Sequence, residues 1–177
     1  MKNSESWERV GEDVVAYKNY MTVVKRAFRL PSGNVKSFDI IKDIQAVCML
    51  ALTSDNQVLL VKEFRPGVEK VLMELPGGGV EKGEEPEVAA ERELLEETEY
   101  KGEVQFVTES FHDAYSTRIR YNFVIVDCKK VQEVNHDIKE PLEPVLLSIG
   151  EFRKHLQSGQ LTDVTTGYLG LDFLDLL

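Results

Sequence analysis

The sequence predicts an α/β fold in which helices pack on a mixed β-sheet, as an α/β/α or α+β sandwich. Near-continuous apolar runs at residues 46–53 and 57–64 are typical of central strands that are buried on both faces. Helical stretches follow at residues 86–98, 150–157 and 163–175. Because strands and helices do not alternate regularly, a purely parallel sheet is not expected.

The first 43 residues are polar and contain stretches that alternate as short strands do. Residues 14–19 and 20–30 have this pattern, and a turn signal follows at residues 30–34. No linker rich in Gly, Ser or Pro separates this part from the next strand. We therefore expect a small N-terminal β segment at residues 1–43 and a main domain at residues 44–177.

The remaining elements follow from their boundaries. Ser54-Asp55-Asn56 forms the turn between the two apolar strands, and Arg65-Pro66-Gly67 ends the pair. The stretch VLMEL leads into Pro76 and three glycines, and the first helix has Pro86 in its first turn. The second helix ends at Ser158-Gly159. Further strands are expected at residues 103–110, 119–127 and 144–149.

Composition excludes several classes of protein. The 177 residues are 42% hydrophobic and 29% charged, which is typical of an ordinary globular domain. The net charge of −10 argues against nucleic acid or anionic membranes as partners. The N-terminus lacks a signal peptide, no apolar run reaches membrane-spanning length, and Cys48 and Cys128 suit buried reduced thiols, so we expect a cytoplasmic location.

The acidity is concentrated around the first helix. Residues 81–103 hold ten Glu and three basic residues, a local charge of −7. At about 100° per residue, Glu93, Glu96 and Glu97 fall on one helix face. Such a face can simply be solvated, but the glycines at 77–79 let a ligand approach the backbone directly before it.

The neighbours of these carboxylates suggest how the helix docks. Ala89 and Ala90 share the acidic face and leave room for an ion and a substrate, whereas Val88 and Leu95, with Leu94 between them, are expected to pack on the sheet. Grouped carboxylate oxygens suit Mg²⁺ or Mn²⁺. The three histidines are scattered along the chain, which argues against a zinc site. An ion pair from Arg92, one turn earlier, can orient Glu96.

These residues resemble the Nudix box of the Nudix hydrolases. The matching pattern is Gly78, Glu84 after five residues, and Arg92-Glu93-Leu94-Leu95-Glu96-Glu97 after seven more. Phe64-Arg65-Pro66, Glu74-Leu75-Pro76-Gly77-Gly78 and residues 159–163 are similar to the branch that cleaves ADP-ribose and nucleoside-diphosphate sugars. The resemblance implies a Nudix-type α/β/α sandwich.

Three positions depart from the family pattern. The box normally ends in glycine and an apolar residue, where this chain has Glu99 and Tyr100. ADP-ribose pyrophosphatases usually carry a proline about fifteen residues beyond the box, where this chain has Tyr115. Tyr115 could stack on a base or ring of the substrate, or it could cover the sheet.

The resemblance implies metal-dependent hydrolysis of a diphosphate that joins a nucleoside to another group. Glu93 and Glu97 would be the main metal ligands, supported by Glu96 and the backbone carbonyl of Gly77. Gly78 would admit the substrate. Further candidate residues are Arg92 and Glu84, which would orient the carboxylates, and Arg65, which would clamp the diphosphate or form an ordinary salt bridge.

A further acid from the loop at residues 135–143 is implied as base or metal ligand. Glu140 fits best, while Ile138 occupies the usual position of the base, so Asp137, Glu140 and Glu143 all stay open. The resemblance also implies a homodimer in which aromatic residues such as Trp7 and Phe28 contact the nucleotide of the partner's site. Alternative functions are a nucleotide-binding sensor without hydrolysis and a hydrolase of dinucleoside polyphosphates.

Overall fold

The structure, a computed structural model, describes residues 6–42, 45–131 and 142–177. These residues fall into two compact units, one within the bounds 1–45 and 111–119, the other within the bounds 46–110 and 120–177. In the part of the chain that is described, no helix is both long and apolar enough to span a membrane.

The first unit is built on a three-stranded antiparallel sheet. Its strands, in spatial order, are β1 (Glu8–Lys18), β2 (Thr22–Arg29) and β3 (Val35–Lys42). The turn expected at residues 30–34 joins the last two strands, where the N–H of Leu30 donates to the carbonyl of Asn34 at 2.8 Å. Trp7, Phe28 and Phe38 form an aromatic cluster on this sheet, with ring centroids 5.8–6.3 Å apart.

The second unit contains a seven-stranded mixed sheet and three helices. Its elements are β4 (Ala46–Thr53), β5 (Gln57–Arg65), β6 (Lys70–Glu74), β7 (Gly77–Gly79), α1 (Pro86–Thr98), β8 (Tyr100–Phe111), β9 (Ile119–Lys130), β10 (Glu143–Ser148), α2 (Ile149–Ser158) and α3 (Val164–Phe173). The main strand order is β10-β5-β4-β9-β8, with β6 paired to β5 and β7 paired to β4. β4 and β9 are parallel, whereas β5 runs antiparallel to β4, β6 and β10.

Strand β4 explains why the unit is a sandwich. Successive side chains of a strand point to opposite faces of the sheet, and those of β4 therefore enter two different buried clusters. Cys48, Leu50 and Leu52 pack with α2 and α3, whereas Val47, Met49 and Ala51 pack with α1. Helices therefore cover both faces of the mixed sheet. This α/β/α arrangement confirms the predicted fold class.

Most predicted elements lie within a few residues of those observed, and the differences have local causes. The strand predicted at 103–110 begins at Tyr100, because Glu99 adopts a left-handed conformation that ends α1 abruptly. The three glycines that follow Pro76, for which no strand was expected, form the short strand β7 beside β4. The predicted helix end at Ser158-Gly159 is confirmed, with Gly159 at φ 66°.

Candidate active site

The site is assembled where β7 and α1 meet. Gly77 pairs with Cys48 of β4, and a Cβ atom at position 77 would lie 2.4 Å from the carbonyl oxygen of Val47. Only glycine allows β7 to approach β4 this closely. The backbone of β7 is therefore held directly in front of the acidic helix.

Helix α1 docks through a different face from the one the sequence predicts. Ala89, Ala90 and Leu94 are buried against the sheet, whereas Val88 is 54% exposed and lies outside the core. The expectation that Val88 docks the helix was wrong, and Leu95 is only half-buried, whereas Leu94, expected between them, does pack in the core. The small alanines let α1 approach closely, and the acidic face is consequently turned toward the protein rather than toward open solvent.

Glu97 is the most deeply buried of the three candidate carboxylates. Its Oε2 accepts a hydrogen bond from the backbone N–H of Gly77 at 3.0 Å. Burial raises the pKa of the Glu97 carboxyl to about 8, and the nearby Glu93 carboxylate adds to this increase. The N–H of Gly77 acts in the opposite direction because it stabilises the ionised form. A cation beside Glu97 would relieve the cost of ionising it.

Glu93 lies directly against Gly78. A Cβ atom at position 78 would be 2.3 Å from the carboxyl carbon of Glu93, so the carboxylate occupies the space that a side chain would need. Burial raises the pKa of Glu93, and its bond from Arg92 Nη1, at 2.8 Å, partly offsets that effect. Gly78 is thus required for the position of a carboxylate.

Arg92 connects the acidic residues of the site. Its Nε and Nη2 donate to the two oxygens of Glu84 at 2.9 and 3.0 Å, a bidentate pair, and Nη2 also donates to the carbonyl of Gly79 at 3.0 Å. Its Nη1 contacts Glu93 and, at 3.3 Å, Glu96. The predicted ion pair between Arg92 and Glu96 is confirmed. The pairing with Glu84 lowers the pKa of that carboxyl.

The donor set fits a divalent cation that also binds substrate. Among the described residues, no three His, Cys, Asp or Glu side chains converge as a metal site by themselves. Glu97 is held by Gly77, and Glu96, with 49% of its side chain exposed, points to Arg92. Mg²⁺ is commonly bound by one or two carboxylates together with substrate phosphates and water. Glu93 and Glu97 satisfy that requirement.

Arg65 lies at the end of β5 and is fixed by two acids. Its Nε donates to Glu74 at 3.3 Å and its Nη1 to Glu63 at 2.8 Å. Both Glu63 and Arg65 influence the ionisation of Glu97, which indicates that they belong to the same charged cluster. Neither Glu63 nor the role of the buried Glu74 was singled out from the sequence. A charged residue inside the apolar stretch VLMEL was the available signal for Glu74.

The other candidates are placed differently. Tyr115 belongs to the first unit, where its ring is 6.4 Å from that of Phe38 and 56% of the residue is exposed. Asp137 and Glu140 lie outside the described residues. Glu143, at the start of β10, forms an ion pair with Lys62 of β5 at 2.6 Å.

Comparisons with known proteins identify the family. Residues 42–162 match the NUDIX domain. A Bacillus subtilis (strain 168) protein named ADP-ribose pyrophosphatase is 32% identical over 142 residues, which cover 78% of this chain and 77% of that protein. A Bacillus methanolicus protein named methanol dehydrogenase activator is 31% identical over 140 residues, covering 77% and 76% respectively.

The fold agrees with these matches. A crystal structure described as an ADP compounds hydrolase has a TM-score of 0.81 to this structure, with 20% sequence identity over 99% of this chain and 97% of that one. This chain belongs to the Nudix family, whose members generally act with divalent metal ions. The predicted family, fold class and enzyme class, a Nudix pyrophosphohydrolase, are thereby confirmed.

Proposed function

We propose that this protein hydrolyses the diphosphate bond of ADP-ribose or another nucleotide sugar and releases a nucleoside monophosphate and a sugar phosphate. The observation that carries the proposal is the pair of half-buried carboxylates, Glu93 and Glu97, held against two glycine backbones beside Arg65. The Bacillus subtilis relative supports this substrate class. Nucleic acid and membranes are not among the proposed partners.

The roles of the residues follow from their surroundings. Glu93, Glu97 and the carbonyl of Gly77 would hold Mg²⁺, or Mn²⁺ in its place, with Glu96 supporting from the helix edge. When bound, the cation supplies positive charge that stabilises the phosphoryl oxygens as water attacks phosphorus. Arg92, held by Glu84, keeps the carboxylates oriented.

Two further residues contact the substrate in this proposal. Gly78 is proposed to contact the diphosphate through its backbone, because the space beside its Cα is taken by the Glu93 carboxylate. Arg65 binds the phosphate oxygens, because its planar guanidinium matches their geometry.

The residue that activates water is proposed to come from residues 135–143. Asp137, Glu140 and Glu143 are all candidates, and Glu140 agrees best with the family pattern as base and metal ligand. We expect Glu140→Gln to reduce turnover at least about tenfold, as loss of general-base assistance does. Wild-type activity of this variant would remove Glu140 from the mechanism and leave Asp137 and Glu143.

Assembly and location are also part of the proposal. We place the protein in the cytoplasm as a homodimer, in which residues 1–43 serve dimerisation and substrate contact and Tyr115 contacts a substrate ring, while residues 44–177 form the catalytic domain. The monomer mass is 20.1 kDa. Gel filtration at a mass near that of one chain would contradict the dimer.

A substrate screen tests the proposed activity. The protein is incubated with Mg²⁺ and, separately, ADP-ribose, other nucleotide sugars, dinucleoside polyphosphates and NADH, and released nucleotide is quantified. We expect ADP-ribose or a nucleotide sugar to be cleaved fastest, and dinucleoside polyphosphates being fastest would overturn the substrate class. Binding without cleavage would favour a nucleotide-binding module. The name of the Bacillus methanolicus relative, which describes an effect on another enzyme, is the observation in favour of that second candidate.

A further inference from the structure

The guanidinium of Arg65 is held at two of its three nitrogens. Nε donates to Oε1 of Glu74 at 3.3 Å, and Nη1 donates to Oε1 of Glu63 at 2.8 Å. Within the described part of the chain, Nη2 has no hydrogen-bond partner. The two contacts fix the plane of the group, so that Nη2 stays available to a ligand.

The two acids that hold Arg65 differ in burial. The side chain of Glu63 is 31% exposed, so water competes for its ion pair. Glu74 is completely buried, although burying a carboxylate is costly unless it is paired and hydrogen-bonded. Of the two contacts, that with Glu74 is therefore the one protected from solvent.

The second oxygen of Glu74 is fixed independently of Arg65. Oε2 accepts hydrogen bonds from the backbone N–H of Thr162 at 2.8 Å and from the Thr162 hydroxyl at 3.1 Å. Thr162 lies in the connection between α2 and α3, 88 positions further along the chain. Glu74 therefore cannot rotate with Arg65, and it acts as a rigid acceptor for Nε.

We propose that Glu74 is a positioning residue for diphosphate recognition, acting by fixing the guanidinium plane of Arg65. This inference rests on the proposed function, because the binding of the substrate diphosphate by Arg65 is itself part of that proposal. The N–H groups of a guanidinium lie in one plane, so Nη2 is aimed at a phosphate oxygen only when that plane is fixed, and an arginine that is free to rotate must be ordered when the substrate binds. Loss of Glu74 thus weakens substrate binding without removing any group that touches the substrate.

The test is a double-mutant cycle between Glu74→Gln and Arg65→Ala. The amide oxygen of glutamine can still accept from Thr162, while its NH₂ group faces Nε, so that two donors meet and the contact with Arg65 is lost. We expect Glu74→Gln to raise KM for ADP-ribose about tenfold, as loss of one charged hydrogen bond does, with kcat changed less than about threefold. Adding it to Arg65→Ala should have almost no further effect.

Thr162→Val is the matched control, because it removes a donor to Glu74 without touching Arg65. We expect its KM to stay within about twofold of wild type. Additive effects of Glu74→Gln and Arg65→Ala, or an equal increase of KM in Thr162→Val, would overturn the proposal. If Glu74→Gln does not fold, Glu74→Asp, which keeps the charge but is too short to reach both partners, takes its place in the cycle.

A binding measurement separates failure of this inference from failure of the proposed function. The same variants are titrated by calorimetry with the α,β-methylene analogue of ADP-ribose in Mg²⁺. If the wild type binds the analogue but does not cleave ADP-ribose, the proposed hydrolysis is wrong. The double-mutant cycle, calculated from the Kd values of the analogue, would still decide the role of Glu74. If the wild type neither binds nor cleaves, both proposals are wrong.

Discussion

Glu97 and Gly77 are joined by a hydrogen bond of 3.0 Å from the backbone N–H of the glycine to the carboxylate, although twenty positions separate them. The bond links α1 to β7 and fixes the direction of the carboxylate. It holds because Ala89 and Ala90 allow the helix to lie close to the sheet. The geometry of the candidate metal site thus depends on helix packing as well as on the acidic residues.

The first prediction concerns the cost of burying Glu97. Burial raises the pKa of its carboxyl to about 8, so ionising it disfavours the folded state. We expect Glu97→Gln to abolish hydrolysis, with a loss of at least about a hundredfold, because a proposed metal ligand is removed. In metal-free buffer at pH 8 the same variant should have an unchanged or raised Tm, since a neutral amide can keep the bond from Gly77.

Glu91→Gln is the control for this experiment. It makes the same substitution on the same helix, but Glu91 is exposed and outside the site. Both activity and Tm should stay close to wild type. A marked fall in Tm for Glu97→Gln would contradict the interpretation that the carboxylate is retained at the expense of stability.

The second prediction concerns the contact between Gly78 and Glu93. A Cβ atom at position 78 would be 2.3 Å from the carboxyl carbon, so Gly78→Ala must displace Glu93. We expect at least about a tenfold loss of kcat/KM, because misplacing a catalytic group by about 1 Å has effects of this size or larger. Steady-state kinetics measured over a series of Mg²⁺ concentrations should show that a higher concentration is needed for half-maximal activity.

Gly150→Ala serves as the control for Gly78→Ala. Position 150 lies in α2, and a Cβ atom there would meet nothing within 4 Å. Because alanine favours helix over glycine by about 1 kcal/mol, we expect equal or higher stability and unchanged kinetics. Normal metal dependence in Gly78→Ala would show that Glu93 can move without loss and would contradict the assigned contact.

The part of the site that is local in sequence could be predicted from it. The spacing of Glu93, Glu96 and Glu97 places them on one helix face in any α-helix, and Arg92 reaches Glu96 within one turn. The α/β/α sandwich could be predicted from the family pattern and the apolar strands because both are also local signals in the sequence. These features need no knowledge of how the chain folds back on itself.

The contacts across the chain could not be predicted in this way. Which face of α1 docks depends on the space at the sheet, and two alanines fit there where Val88 does not. The bond from Thr162 to Glu74 joins residues that no periodicity relates. Of the three residues from which the base was expected, Asp137 and Glu140 lie outside the described residues and Glu143 pairs with Lys62, so that assignment stays a prediction.

The third prediction concerns Glu99, which replaces the glycine of the family box. It ends α1 in a left-handed conformation, with φ 62° and ψ 24°, which costs a non-glycine residue about 1 kcal/mol or more. Its carboxylate also pairs with Lys130 at 3.1 Å on the surface, a contact worth little. We expect Glu99→Gly to raise the free energy of unfolding by about 0.5–1 kcal/mol.

Glu99→Ala separates the two contributions, because it removes the ion pair and keeps the backbone strain. It should be neutral or destabilising by a few tenths of a kcal/mol in chemical denaturation. If Glu99→Ala stabilises the protein as much as Glu99→Gly does, the side chain rather than the backbone conformation is unfavourable at this position.

The last prediction concerns Asp13 in the first unit. Arg26 donates to both of its oxygens at 2.9 Å, and Arg9 donates to one of them. The hydrogen bonds from Arg26 lower the pKa of the Asp13 carboxyl from 3.8 to about 2. Because the folded-state pKa is the lower one, the pair stabilises the β1–β2 hairpin fully above about pH 4, and this contribution is lost as the pH falls through 2.

A carboxyl ¹³C NMR titration measures the pKa of Asp13 directly. The midpoint for Asp13 should lie near 2 in the wild type and move toward 3.8 in Arg26→Ala. Arg9→Ala should shift it less, because the charge of Arg9 is the weaker of the two arginine effects. Hydrogen exchange of the β1 and β2 amides should accelerate between pH 4 and 2, after correction for intrinsic exchange, more in the wild type than in Asp13→Asn. Equal acceleration in both proteins would mean that other groups control the acid stability of the hairpin.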